Sequence, residues 1–304
     1  MAEAGGQKVP NVTVNDSSHT VSASRINTWI ACPAAWLFRY GLGWRSPVES
    51  PAMRRGLDVE AGVTARLMAP GFDLGEETAE VRAMADRAAA AIVEILGEKR
   101  ERVLWPDGED RDGRPPQWLM QWEFAGQTVL GWPDYLTGWS AEADQPGQRV
   151  RRVIELKTGA RMPRQPAPAH LRQIALYQDY IRGTNYCNAP PDLTLVRVSP
   201  RGVGCRVWST DQLGAADWGG VITAEAVARA EVECAHAVRG MAWAERVLAE
   251  EGFVALRDRL PLDLDHWMVR DVPEVAREML LAEMPAAAIK DRLDRWSITW
   301  RETQ

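Results

Sequence analysis

The chain has 304 residues, enough for one large domain or two smaller ones with a sizeable core. Its 46% hydrophobic and 26% charged content is that of a soluble globular protein, and a net charge of −6 with a pI near 5.4 argues against a basic protein that coats nucleic acid. No run of ~18 or more apolar residues occurs, so no helical membrane span is predicted.

Residues 1–20 are polar, with Gly, Asn, Ser and Thr, and read as a flexible tail without the apolar stretch of a secretory leader. "SASRINTWIACPAAWLFRYGLGW" follows with apolar residues at helical spacing. Ser22 or Ser24 can cap it, and Pro33 should split it into two short helices. "SPAMRRGLDVEAGVTARLMA" reads as a helix, and "GEETAEVRAMADRAAAAIVEILGEKRER" as a long one with an Ala-rich buried stripe. A Pro/Gly/Asp loop over 106–116 leads to three strand-like pieces, "QWLMQWEF", "TVLGWPDYLTGW" and "RRVIELKT", with a tight turn at Gly126-Gln127 and a longer one in "AEADQPGQ". A helix is predicted from about Ala169 to Ile181. "DLTLVRVS" and "GCRVWST" then form a hairpin through Pro200-Arg201-Gly202, a long helix covers roughly 211–251, and two short amphipathic helices lie beyond 261. This order predicts a mixed α/β fold, with units at 1–20 (tail), 21–255 (main domain) and 256–304 (helical extension).

In "VIELKTGA" the acid Glu155 and the base Lys157 stand two apart, so a strand directs both to one face, opposite Ile154 and Leu156. Alone, the pair reads as an exposed ion pair worth ~0–1 kcal/mol. "GWPDYLTGW" shifts the weight: Asp134 follows Pro133 at the start of an apolar stretch, and on a neighbouring strand it would aim at the same point as Glu155. Two carboxylates and a lysine converging from adjacent strands suit Mg²⁺ or Mn²⁺ through hard oxygens. Such a cation activates water and polarises a phosphodiester, and Lys157 then orients the water or neutralises charge. In "HLRQIALYQDYI", Gln173 and Tyr177 are four apart and share a helical face.

Asp134, then Glu155-Leu156-Lys157, then Gln173-Ile174-Ala175-Leu176-Tyr177 resembles the PD-(D/E)XK nuclease superfamily, and within it the RecB-like and Cas4-like exonucleases. The opening "SASRINTWIACPAAWLFRYGLG" and "RRGLDVEAGV" are similar to that family's first pieces, and the resemblance covers about residues 21–200. It implies a restriction-endonuclease-like core, a mixed β-sheet flanked by helices, with helical additions at both ends. It also implies metal-dependent DNA hydrolysis leaving a 5′-phosphate, with exonuclease action in recombination, repair or phage replication favoured. Under it the metal ligands are Glu60, Asp134, Glu155 and the Leu156 carbonyl. Lys157 assists the water, and Gln173 and Tyr177 shape the site. Glu60 stands where the family usually has a His, with Asp58 a weaker competitor.

Arg25, Arg39, Arg54, Arg55 and His170 are candidate phosphate contacts, each open to a plain surface reading, and Thr158-Gly159 is a candidate turn offering a backbone N–H to substrate. Trp29, Trp36 and Trp132 read as core residues, one of which could stack on a base. Many such nucleases carry an iron–sulfur cluster on one early and three late cysteines. Cys32 matches the early one, but Cys187, Cys205 and Cys234 are widely spaced, so no cluster is expected. Reduced thiols fit a cytoplasm, of a bacterium or a phage-infected cell. The "WPD" stretch lacks the Cys-x₅-Arg of a tyrosine phosphatase, and no P-loop is present, so ATP-driven action would need a partner such as a helicase or recombinase. A homo-oligomer is also possible on this reading. The rival reading is a DNA-binding or assembly subunit of a larger nuclease, recombination or CRISPR-adaptation complex.

Overall fold

The computed structural model describes residues 20–44, 50–68, 77–106, 117–139, 150–184, 190–200, 205–211, 219–260, and 263–302 except 265, 271 and 282–285. The predicted tail, the 141–148 turn, most of the 106–116 loop, Cys187 and the tip of the predicted 200–202 hairpin lie outside these residues.

The chain starts with β1 (Val21–Ser22), α1 (Ala23–Ala31) and α2 (Pro33–Trp36), which runs on as a turn of π-helix (Leu37–Gly41). Ser22 accepts the Arg25 N–H as the α1 cap, and Pro33 at the first position of α2 confirms the predicted break. Next come α3 (Pro51–Leu67) and α4 (Ala79–Lys99). The sequence suggests that α4 continues to 102, but Arg100 takes a left-handed conformation (φ 52°) that ends the helix. The next residues form β2 (Glu101–Leu104) instead.

β3 (Met120–Phe124) and β4 (Gln127–Gly131) form a hairpin. Its two turn residues are Ala125 and Gly126, both at positive φ, one position earlier than predicted. "TVLGWPDYLTGW" is two strands in different sheets, because Trp132-Pro133-Asp134 separates β4 from β5 (Tyr135–Trp139). Then follow β6 (Arg152–Thr158), α5 (Pro168–Arg182), β7 (Asp192–Val198) and β8 (Cys205–Ser209). The long helix begins later than predicted. The chain first pairs as β9 (Gly220–Val221), then Thr223 caps α6 (Ala224–Glu250). α7 (Phe253–Arg259), a 3₁₀ turn (Trp267–Val269), α8 (Glu274–Leu281) and α9 (Ala286–Glu302) complete the chain.

The larger sheet has the order β2-β5-β6-β7-β8-β9, and the smaller one β1-β4-β3. β6 and β7 are parallel and joined through α5, whereas β5–β6 and β7–β8 are antiparallel. One face of the large sheet, with Ile154, Leu156, Val196 and Val207, packs on Val59 and Val63 of α3 and on Met84, Ala88 and Ile92 of α4. The other, with Val153, Leu193, Leu195 and Trp208, packs on Ile174, Ala175 and Tyr177 of α5. β6 is therefore covered on both sides, which is why its apolar residues do not alternate with polar ones. A third cluster joins α1, α2, α6 and Val129 of β4 to Leu256, Val269, Ala276 and Ile289, so the C-terminal helices share a core with the N-terminal ones. No helix among the described residues is long and apolar enough to cross a membrane.

At the start of β6, Arg152 is fully buried. Its guanidinium meets Glu101 at 3.1 Å and Asp211 at 2.9 Å, and donates to Thr194 at 2.8 Å and Ser209 at 3.0 Å. One side chain thus joins β2, β6, β7 and β8. Removing the cation leaves the buried Glu101 carboxylate without its counter-charge, a loss of about 3–5 kcal/mol. Arg152→Ala is expected to cost that much in urea denaturation, whereas Arg182→Ala, at an exposed pair with Asp179, should cost under ~1 kcal/mol. Similar small losses at both positions would refute the buried arginine as a structural hub.

Candidate active site

The site forms where β5 begins and β6 nears its end. Tyr135 pairs with Ile154 in antiparallel register, so the next position outward sets Asp134 against Glu155. β5 pairing has ended there, which leaves the Leu156 N–H without a ladder partner on that side. The Asp134 Oδ2 accepts it at 2.6 Å. The N–H and C=O of one strand residue point to the same edge, so the Leu156 carbonyl also faces the Asp134 side.

Glu155 is buried, at 1% exposure. Its Oε1 accepts from Lys157 Nζ and, at 2.6 Å, from Gln173 Nε2. Gln173 Nε2 also meets Tyr177 Oη at 2.9 Å, and that hydroxyl donates to the Trp132 carbonyl at 3.0 Å. The i,i+4 pair read from sequence is thus one hydrogen-bonded chain from the β4–β5 junction to Glu155. Gly131 makes this chain possible, because a Cβ there would stand 2.5 Å from the Tyr177 ring.

Glu60 approaches from α3. Its Oε1 accepts from Gln117 at 2.7 Å. Tyr135 ties this helix to β5 through Thr64, 3.0 Å from its hydroxyl. Gln117 and Tyr135 escaped sequence analysis, since no spacing rule links them to α3.

Electrostatics binds these groups together. Burial raises the Glu155 carboxyl to about 8, with Asp134 adding to the rise and Lys157 opposing it. Burial, then Asp134, raises Glu60 to about 7. Asp134 is itself raised by burial against the pull of Lys157. Burial opposes the Lys157 charge, but Glu155, Asp134 and Glu60 more than offset it and hold the ammonium well above the ordinary lysine range. Three carboxylates thus share one cation, and Glu155 Oε2 is buried without a hydrogen-bond partner among the described residues. Hard oxygen donors with an orphaned carboxylate oxygen fit a divalent cation. As the side chains stand, no group of three His, Cys, Asp or Glu among the described residues is in ligating geometry.

Several candidates stand elsewhere. Arg25 is corrected from a phosphate contact to a core residue: it is 5% exposed, pairs with Glu245, and lies over Trp36 and Tyr40. Arg39 donates to the Met268 carbonyl at 3.2 Å. Arg54 and Arg55 lie on α3 before Glu60, beside Asp58 and Glu80. The Gly159 N–H is bonded to the Val198 carbonyl at 3.1 Å, so it is not offered to substrate. Trp36 is core, but Trp132 is 42% exposed, which corrects its core assignment. Cys32 caps α2 from a buried position, Cys234 is buried in α6, and Cys205 is half-buried.

The profile of the PD-(D/E)XK nuclease superfamily matches residues 20–291. No curated protein matches the sequence. Among solved structures, a protein from Eubacterium rectale provisionally designated an exonuclease is similar at 13% identity, with 90% of this chain and 94% of that chain covered and a TM-score of 0.49. The protein SSO0001 is similar at 11% identity, with 73% and 77% covered and a TM-score of 0.32.

His170 opens α5 half-buried, and burial, then Lys157 and Arg197, lowers its imidazole to about 4. It is therefore neutral at pH 7 and meets an anion only as an N–H donor. Since the folded value lies below the ordinary 6.5, the unfolded chain binds the proton first, and stability should fall as pH drops from about 6.5 to about 4. An NMR titration should find one of the four histidines near 4, and Lys157→Met should raise that value. An ordinary histidine titration at His170 would refute the enclosed, cation-facing placement.

Proposed function

The chain belongs to the PD-(D/E)XK nuclease superfamily, phosphodiester hydrolases that use divalent metal ions, and from that premise we propose that it is a Mg²⁺- or Mn²⁺-dependent deoxyribonuclease of the RecB-like or Cas4-like kind, acting as an exonuclease. The observation that carries this reading is the crowding of Glu60, Asp134 and Glu155 around the Lys157 ammonium, with Glu155 Oε2 left without a partner among the described residues. Buried carboxylates in excess of their cations are costly unless another cation completes them.

Glu60, Asp134, Glu155 and the Leu156 carbonyl would hold the ion. When bound, it would polarise the scissile phosphate and lower the pKa of a water. Hydrolysis forms a bond from water oxygen to phosphorus and breaks the bond to the 3′ oxygen. That oxygen leaves as a hydroxyl with one water proton, and the other passes to solvent as the new 5′-phosphate ionises. The raised Lys157 pKa makes it a poor proton acceptor at pH 7, so its role is to place a fixed positive charge beside the charge developing on phosphate. Gln173, held by Tyr177 and the Trp132 carbonyl, orients Glu155 through Oε1. Arg54 and Arg55 extend the phosphate contacts beyond the scissile bond, and His170 adds a neutral donor. The action lies in a cytoplasm, where a helicase, a recombinase or a second copy of the chain could supply ends or single strands.

End-labelled single- and double-stranded DNA, linear and circular, should be degraded with Mg²⁺ or Mn²⁺ and not with EDTA, and linear DNA preferentially. Glu155→Gln and Lys157→Met should each lower the rate by about 10²–10³-fold. The cation should also raise the melting temperature of wild type, by about 2.7 kcal/mol of stabilisation at 100 times its Kd, but not that of Glu155→Gln. Equal degradation by wild type and Glu155→Gln would place the activity elsewhere. DNA binding without cleavage under every cation would instead mark a binding subunit.

A further inference from the structure

The sheet face that carries Glu155 is built in transverse rows. Register sets Glu155 beside Leu195 and Leu195 beside Trp208, and all three are at most 3% exposed. The next row toward the end of β6 is Lys157, Arg197 and Arg206, each in direct register with its neighbour. Residues in register point to the same face. Three cations on three adjacent strands therefore lie side by side, beginning at the site and ending on β8, whose pairing with β9 among the described residues involves Trp208 and Ser209.

Like charges directly opposite one another destabilise a sheet. Lys157 has Glu155, but among the described residues neither Arg197 nor Arg206 has a carboxylate within salt-bridge distance. Arg197 Nε donates to the Arg161 carbonyl at 3.1 Å and Arg206 Nη1 to the Pro163 carbonyl at 2.7 Å. These bonds fix the guanidiniums under the β6–α5 connection but bring no carboxylate to them among the described residues, and burial lowers the Arg197 pKa. Arg161 and Arg164 on that connection are exposed, and His170 sits in the field of both Lys157 and Arg197. In a chain of net charge −6, this row is a local feature rather than a trace of general basicity.

We propose that Lys157, Arg197 and Arg206 form a phosphate track that leads one strand of the nucleic-acid substrate from the scissile bond across β7 to β8. The row spans two strand spacings, about 9–10 Å at the backbone. That is longer than a single phosphate needs and matches a polyanion rather than a mononucleotide. The inference rests on the nuclease reading for the identity of the polyanion, but its test does not require turnover.

Binding of fluorescein-labelled oligonucleotides, single- and double-stranded, is measured by anisotropy in EDTA across a salt series. Each lost phosphate contact lowers the slope of log K against log salt by about 0.7 on a single strand or about 0.9 on a duplex. Arg197→Gln/Arg206→Gln should therefore lose about 1.4 or about 1.8, and Arg197→Lys/Arg206→Lys should keep the wild-type slope. In turnover the Gln variant should raise KM and leave kcat nearly unchanged, since it removes binding common to ground and transition states. Circular dichroism melting checks folding. If the double variant unfolds, each single variant should lose half the effect. Cleavage by wild type with an unchanged slope in the Gln variants overturns the track and leaves the nuclease reading standing. Arginine-dependent binding without cleavage upholds the track and removes the nuclease reading. Absence of both binding and cleavage overturns both.

Discussion

The pairing of Tyr135 with Ile154 sets everything at the site. One step beyond that pair, Asp134 faces Glu155, and the Leu156 N–H turns to Asp134 because β5 has ended. A slip of one residue would turn Glu155 toward α3 and α4 and Ile154 toward α5, since side chains alternate with period two. The Arg152 hub opposes such a slip. It sits three residues before Glu155 and reaches Glu101 on β2, Thr194 on β7 and Ser209 on β8. A one-residue shift would separate all three contacts at once.

The two ends of β6 obey opposite electrostatics. At its start, the buried charge is answered: Arg152 and hydrogen bonds to Ser209 and Lys99 outweigh burial and hold Asp211 well below the usual carboxylate range. That carboxylate contributes stability at neutral pH that is lost as pH falls through its folded value. Near its end, burial and mutual repulsion push Glu60 and Glu155 up. Their folded values exceed their unfolded ones, so they weaken the fold at neutral pH; that penalty shrinks as pH falls below about 8 and about 7 and is gone only below the ordinary value of 4.5. The same strand therefore carries a clamp that is satisfied within the chain and a cluster that is not. The uncompensated end is the one that the proposed cation would complete.

Local rules explain which features the sequence discloses. The Glu155–Lys157 spacing and the Gln173–Tyr177 spacing translate directly into faces, because pleat and helix have fixed periods. The βαβ unit around α5 is equally legible from its two apolar runs. What escapes depends on dihedrals or on distant partners. "KRERVL" continues a helical pattern, and only the left-handed Arg100 converts it into a strand. "TVLGWPDYLTGW" is one apolar run whose division between sheets follows from Pro133 and from the separate partners of β4 and β5. Glu101, Arg152 and Asp211 go unmarked in sequence, because nothing local announces that they will meet in the interior. Arg197 and Arg206 acquire meaning only through register with Lys157.

The opening segment "SASRINTWIACPAAW" offers Arg25 as a candidate phosphate contact in sequence, but its contacts give it a different contribution. Arg25 is held in the interior by Glu245, Trp36 and Tyr40, which fixes α1 against α6. From that anchored helix, Asn27 donates to the Ala169 carbonyl at 3.1 Å and accepts from Arg172 at 2.7 Å, while Arg172 also reaches Glu233 on α6 at 2.7 Å. These bonds grip the first turns of α5, immediately before Gln173. The position of Gln173 against Glu155 is thus set from two sides: through Tyr177 and the Trp132 carbonyl below, and through Asn27 and Arg172 above. Arg25 thus acts on this geometry at one remove, by anchoring the helix from which Asn27 reaches Ala169 and Arg172 on α5.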